Sequence, residues 1–280
     1  MLTGIFVPNF TAFNRSGDLD LGSTIEHANW LLDSAISGLV PFGTTGEGAS
    51  LSLDEMKAVT TELLKDKGSK HIIPTLTTNS LGTIKEFLTW LSGTDVTHVM
   101  VLPPSYFRPA DSEAMVELFD QITRYTNCQI IAYNIPPCGN PVPVDVLTKT
   151  SVWGVKDSGS DMAQSVAYLA TGKNLLVGVE KYLVPALGAG ACGGILGLAN
   201  LYPNELSHAY HLFTSGDAAG AQEIVDGVVG NLDAVMPRGG SIGTYVEYAK
   251  ALSKHVVPTD VGYVRLPLKQ QVLKGLIERH

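Results

Sequence analysis

Ser151 to Ser158 carries a lysine where a lysine is costly. Val152 to Val155 form a short apolar, β-branched run of the kind buried in a parallel sheet, and Lys156 ends it. An ammonium in a low-dielectric site is disfavoured, so a buried lysine tends toward the free amine near neutral pH. A free amine attacks carbonyls, and the product is a Schiff base. Taken alone, Lys156 is also compatible with a strand-end side chain that pairs with Asp157 or reaches solvent.

Two further stretches hold groups suited to keto-acid chemistry. Gly43-Thr44-Thr45-Gly46 offers two hydroxyls and flexible backbone amides ahead of a helix, enough to cradle a small anion such as a carboxylate without a basic residue. It is equally a plain glycine turn with capping threonines. Tyr133 follows the apolar Ile130-Ile131-Ala132 and precedes the stiff Asn134-Ile135-Pro136-Pro137. Its phenol either relays a proton in a dry site or packs its ring with the hydroxyl satisfied.

Two other patterns carry less. Gly188 to Gly193 matches the dinucleotide spacing GxGxxG, but it lies outside a first strand-to-helix turn, and apolar Ile195-Leu196 follow where a helix should open. His208 and His211 can share a helix face, yet no third ligand stands near, so a solvated face is expected and no metal site.

The elements that must position these residues recur at a regular pitch. Apolar runs at 5–7, 39–40, 71–74, 99–102, 129–133, 152–155, 175–178 and 194–197 alternate with helical spacing at 23–37, 53–67, 81–91, 113–125, 144–149 and 163–170. Strand, helix, strand at this pitch means parallel strands with crossovers, and eight of them predict a TIM (β/α)8 barrel. A doubly wound open sheet is the runner-up. The barrel is expected to span residues 1–204, with 205–280 a C-terminal helical extension packed on it, not an independent domain. Catalytic groups then belong past the carboxyl ends of strands, where the glycine-threonine turn, Tyr133 and Lys156 stand.

Composition agrees with a compact enzyme. The 280 residues are 45% hydrophobic, and the formal net charge of −8 argues against a nucleic-acid surface. Cys128, Cys138 and Cys192 are widely spaced, which fits a reducing compartment, and residues 1–13 show no secretion signal, so a cytoplasmic location is expected. Residues 182–204 hold no charge after Lys181 but are broken by prolines and glycines, so no membrane span is expected.

Gly43 to Gly48, Tyr133 to Pro137 and Gly154 to Ser158, occurring together and in order, resemble the family typified by dihydrodipicolinate synthase and N-acetylneuraminate lyase. The resemblance covers nearly the whole chain. It implies that Lys156 forms the Schiff base with pyruvate, that Tyr133 shuttles protons, and that Thr44 and Thr45 hold the pyruvate carboxylate and assist the relay. Gly178 and Ile195 fall where family members shape the pocket. Dihydrodipicolinate synthases carry an arginine five positions after the motif tyrosine; here Cys138 stands there, which can neither carry the charge nor grip a second carboxylate.

Leu102 to Tyr106 with Arg108-Pro109 look most like the archaeal 2-keto-3-deoxygluconate aldolases. Some of these also take the 6-phosphate, and Arg108, Arg238 and Ser241 are placed similarly to their phosphate ligands. Tyr106 resembles a tyrosine lent to a neighbouring subunit, though the loop is one residue longer here. The resemblance implies a homotetramer of paired dimers, and a class I aldolase with no metal or organic cofactor, acting on 2-keto-3-deoxygluconate and its 6-phosphate. Rival readings that share the imine are neuraminate lyase, sugar-acid dehydratase and dihydrodipicolinate synthase. A metal-dependent barrel aldolase and a non-catalytic keto-acid sensor are the readings from other classes.

Overall fold

The computed structural model describes residues 2–273. Its frame is a run of strands β1 (Gly4–Val7), β2 (Gly38–Leu39), β3 (His71–Ile72), β4 (Thr75–Leu76), β5 (His98–Val101), β6 (Gln129–Asn134), β7 (Gly154–Asp157), β8 (Asn174–Val177) and β9 (Gly193–Ile195). Every pairing between them is parallel, in the order β3-β2-β1-β9-β8-β7-β6-β5-β4. β3 and β4 are two halves of one strand divided at Pro74, which has no N–H to give to a ladder. The ladder nevertheless runs through: Ile73 N donates to Leu39 O at 2.9 Å, and Pro74 O accepts from Met100 N at 2.9 Å. The sheet therefore closes as the expected eight-stranded barrel.

Continuous apolar strands are explained by burial on both faces. Phe6, Val40, Ile73, Met100, Ile131, Leu176 and Ile195 fill the barrel interior, whereas Ile5, Leu39, Val99, Ile130, Val155 and Leu175 face the helices. Helices α1 (Leu21–Leu32), α2 (Leu53–Asp66), α3 (Leu81–Leu91), α4 (Ser112–Thr123), α5 (Val144–Lys149), α6 (Met162–Leu169) and α7 (Leu183–Gly188) follow successive strands. Their starts are chemically marked: Ser52 and Glu55 form a reciprocal capping box on α2, and Asp111 caps α4.

Three details differ from the sequence reading. β7 begins at Gly154 and takes in Lys156 and Asp157, two residues later than the apolar run indicated. α8 (Pro203–Thr214) packs on β1 and completes the ring of eight helices, so among the described residues only α9 (Ala218–Asp233) and α10 (Ile242–Val256) lie beyond it. Helix ends at Val256: residues 257–273 contain no helix and lay Tyr263 against Phe13 in a bridge, because Pro258 and Gly262 interrupt helical spacing. The expected helix beyond 273 lies outside the described residues.

Gly188 to Gly193 is the turn from α7 into β9, with Gly190 at φ +107°, and not a strand-to-helix phosphate loop. His208 and His211 are exposed on α8. Among the described residues no helix is long and apolar enough to cross a membrane, and no cluster of three His, Cys, Asp or Glu side chains is placed to hold a metal.

Candidate active site

The site is built at the carboxyl end of the barrel from adjacent strands. Side chains alternate along a strand, so Val155 and Asp157 of β7 face the helices while Lys156 faces inward. Asp157 is fully engaged on its own side: it accepts from Asn134 Nδ2 at 2.8 Å, Ser165 Oγ at 2.6 Å and Gly159 N at 2.9 Å. Lys156 is only 4% exposed. Neither pairing with Asp157 nor escape to solvent describes it.

Tyr133 is the register partner of Lys156 on β6 and shares its inward face. The Lys156 Nζ lies 4.3 Å from the centre of the Tyr133 ring. The Tyr133 hydroxyl meets Thr44 Oγ1 at 3.1 Å, a proton path from barrel interior to the β2–α2 turn.

That turn is tightly specified. Phe42 and Glu47 both adopt left-handed backbone, at φ +65° and +53°, and a methyl group at Gly48 would stand 1.7 Å from Phe42 O. Among the described residues no backbone carbonyl accepts the amides of Thr44 or Thr45. Two N–H groups without a backbone acceptor beside two hydroxyls can make a small-anion cradle.

These groups line one cavity of about 320 Å³, together with Gly178, Ile195 and Ser241. Gly178 has a direct steric reason: a methyl group there would lie 2.7 Å from Lys156 Cε and 2.0 Å from Ser158 Oγ. Arg108 and Arg238 do not line the cavity. The Arg108 guanidinium donates to Pro136 O at 2.6 Å, and Arg238 is exposed on the α9–α10 connection. Ser241 lines the wall, but its hydroxyl is already occupied as the cap of α10, accepting from Thr244 N at 3.1 Å.

Among the wall residues not singled out from sequence are Ser158, Glu180 and Tyr245. Ser158 and Glu180 each lie two positions beyond a site residue, Lys156 and Gly178, where the period of extended chain returns a side chain to the same face. Tyr245 comes from α10 and carried no local signal; its hydroxyl reaches the wall because Gly197 has no side chain to block it. Burial pushes the Glu180 carboxyl above the usual carboxylate range, opposed by the N–H of Leu198, which it accepts at 2.8 Å. Burial, reinforced by Glu180, pushes the Tyr245 phenol well up. Burial likewise raises the Cys138 thiol, against the pull of Arg108 and Lys156.

Comparison with known proteins gives one consistent answer. A 4-hydroxy-tetrahydrodipicolinate synthase of Bradyrhizobium diazoefficiens is 30% identical over 233 residues, covering 80% of this chain and 78% of the relative. The 2-keto-3-deoxygluconate aldolase of Sulfolobus solfataricus superposes with a TM-score of 0.87 at 20% identity, covering 96% of this chain and 90% of that one. The N-acetylneuraminate lyase of Proteus mirabilis gives 0.86 at 21% identity, covering 97% and 94%. Identities this low between structures speak for the barrel and its helices, and not for a shared substrate. Residues 1–268 match the dihydrodipicolinate synthetase family, and the chain belongs to that family of lyases.

Proposed function

We propose that this lyase is a class I aldolase that cleaves 2-keto-3-deoxygluconate to pyruvate and glyceraldehyde. The observation that carries the reading is the buried Lys156 amine facing Tyr133 at 4.3 Å, with Tyr133 in turn bonded to Thr44. Lys156 attacks the C2 ketone and water leaves, giving an imine that, once protonated, withdraws electrons. Tyr133, relayed through Thr44, takes the C4 hydroxyl proton as the C3–C4 bond breaks and glyceraldehyde departs. The enamine is protonated at C3 and hydrolysed to pyruvate. A phenol is a weak base near neutral pH, so Tyr133 acts only after the cationic imine has formed beside it. Thr45 and the free amides of the turn hold the C1 carboxylate throughout. The imine is the electron sink, and the mechanism uses no metal or organic cofactor.

A hydroxylated substrate chain suits the polar part of the wall, where Ser158, Glu180 and Tyr245 stand. Cys138, in place of an arginine, disfavours a second carboxylate and so the dihydrodipicolinate synthase reaction. Neither Arg108 nor Arg238 is part of the cavity lining, which favours the free sugar acid over its 6-phosphate. We further propose a homotetramer, in which Tyr106 and Phe107, 81% and 75% exposed, are covered by a neighbouring subunit. Product analysis with 2-keto-3-deoxygluconate, its 6-phosphate and N-acetylneuraminate tests the assignment: pyruvate release fastest from the first supports it, and release confined to N-acetylneuraminate overturns it.

A further inference from the structure

We infer that the buried Lys250–Glu47 ion pair is a strut that sets the geometry of the Thr44-Thr45 turn, making Lys250 a positioning residue for the keto-acid carboxylate. This rests on the reading of that turn as the carboxylate site. Lys250 comes from α10, far from the turn in sequence, and both members of the pair are buried, at 0% and 1% side-chain exposure.

All three ammonium hydrogens are used, each by a different segment. Lys250 Nζ donates to Glu47 Oε1 at 2.7 Å, to Thr11 O at 2.6 Å and to Tyr263 O at 2.7 Å. The other Glu47 oxygen, Oε2, accepts from Arg265 N at 2.8 Å. Thr11 closes the circuit, its hydroxyl donating to Gly46 O at 2.7 Å. The β1–α1 loop, the β2–α2 turn and the segment after α10 therefore meet on one amine, immediately behind Thr44 and Thr45.

Stability alone does not account for this arrangement. Desolvation of two charges consumes most of their attraction, and apolar side chains of the same volume usually serve a core as well. Geometry is what the pair supplies. Glu47 sits at φ +53°, a backbone conformation that residues with a Cβ adopt reluctantly, and its carboxylate is clamped from both sides while it does so. The amides of Thr44 and Thr45 are oriented by the same turn.

The test is borohydride trapping of the imine in the full-length protein, with pyruvate and with acetone, a ketone that lacks the carboxylate. In Lys250→Met the half-saturating pyruvate concentration should rise about tenfold, and in the milder Thr11→Val about fivefold, while trapping with acetone stays within about twofold. Equal losses with both ketones, or no loss in a folded variant, would overturn the strut. Should Lys250→Met not fold, Glu47→Gln decides alone, since it keeps the side-chain volume at that position and removes the charge of the ion pair. If the unaltered protein traps acetone as readily as pyruvate, the carboxylate reading of the turn fails, and the strut with it; failure of the strut alone appears only in the variants.

Discussion

Tyr133 and Lys156 are direct register partners on adjacent parallel strands, and that pairing places amine and aromatic ring 4.3 Å apart inside the barrel. Two residues 23 positions apart in sequence are thus held by backbone hydrogen bonds on either side. The relationship depends on the strand ladder and not on a flexible loop, so the geometry is set before substrate arrives.

Replacing Tyr133 with phenylalanine keeps the ring against Lys156 and removes only the hydroxyl that meets Thr44. Steady-state cleavage should fall by about 10²–10⁴-fold, the usual worth of a positioned proton-transfer group. Imine trapping with pyruvate should survive. Near-full turnover in Tyr133→Phe removes the proposed proton role.

Gly178 is a steric requirement for the lysine side chain. In Gly178→Ala the new methyl collides with Lys156 Cε and Ser158 Oγ, so the amine must shift. An overpacked core position costs about 1–3 kcal/mol, and a misplaced nucleophile costs about 10²-fold in rate. The variant should remain folded by circular dichroism yet form imine far more slowly; unchanged imine formation contradicts the packing argument.

Glu180 and Tyr245 line the same cavity as Lys156 and are proposed to meet the hydroxylated part of the substrate. Glu180→Gln keeps the shape and the acceptor for the Leu198 N–H while changing how the wall meets hydroxyl groups. The KM for a long-chain sugar acid should rise by about two- to tenfold, as for one altered hydrogen bond. Half-saturation by pyruvate, which lacks the hydroxylated chain, should hold steady, and a parallel change in both would show that Glu180 acts on the keto-acid end of the substrate.

His27 gives stability a pH dependence. It is buried between Phe10 and Trp30, bonded to Asn200 Oδ1 and Thr259 Oγ1, and burial depresses its pKa to about 4. The neutral ring is the folded form, so the unfolded chain binds more protons between pH 6.5 and 4. Stability is full above pH 6.5 and falls as pH drops toward 4, by about 3 kcal/mol for a fully buried ring. Burial of His98, also depressed to about 4, acts in the same direction. Melting temperature against pH should show this slope, and His27→Asn should flatten it; an equal slope in the variant would assign the dependence elsewhere.

How much of the candidate site could be read from the sequence follows from the range of each signal. Lys156, Tyr133, Thr44 and Thr45 were legible because a strand end and its following turn are local, and a barrel gathers strand ends at one rim. Ser158 and Glu180 were equally local, one period beyond residues already chosen. Tyr245 and Lys250 were not, since nothing within α10 distinguishes a helix face that touches the barrel mouth from one that touches its wall. Pro74 looked like the end of a strand, but its neighbours' hydrogen bonds carry the ladder past it. Arg108 and Arg238 looked like anion ligands by placement in the chain, but their positions in space are set by loops, whose course sequence spacing does not determine.

The most direct measurement is reduction of the full-length protein with borohydride in the presence of pyruvate, followed by peptide mass spectrometry. One reduced pyruvate adduct on the Lys156 peptide, lost in Lys156→Met, is the expected result. An adduct on another lysine, or none, would contradict the account.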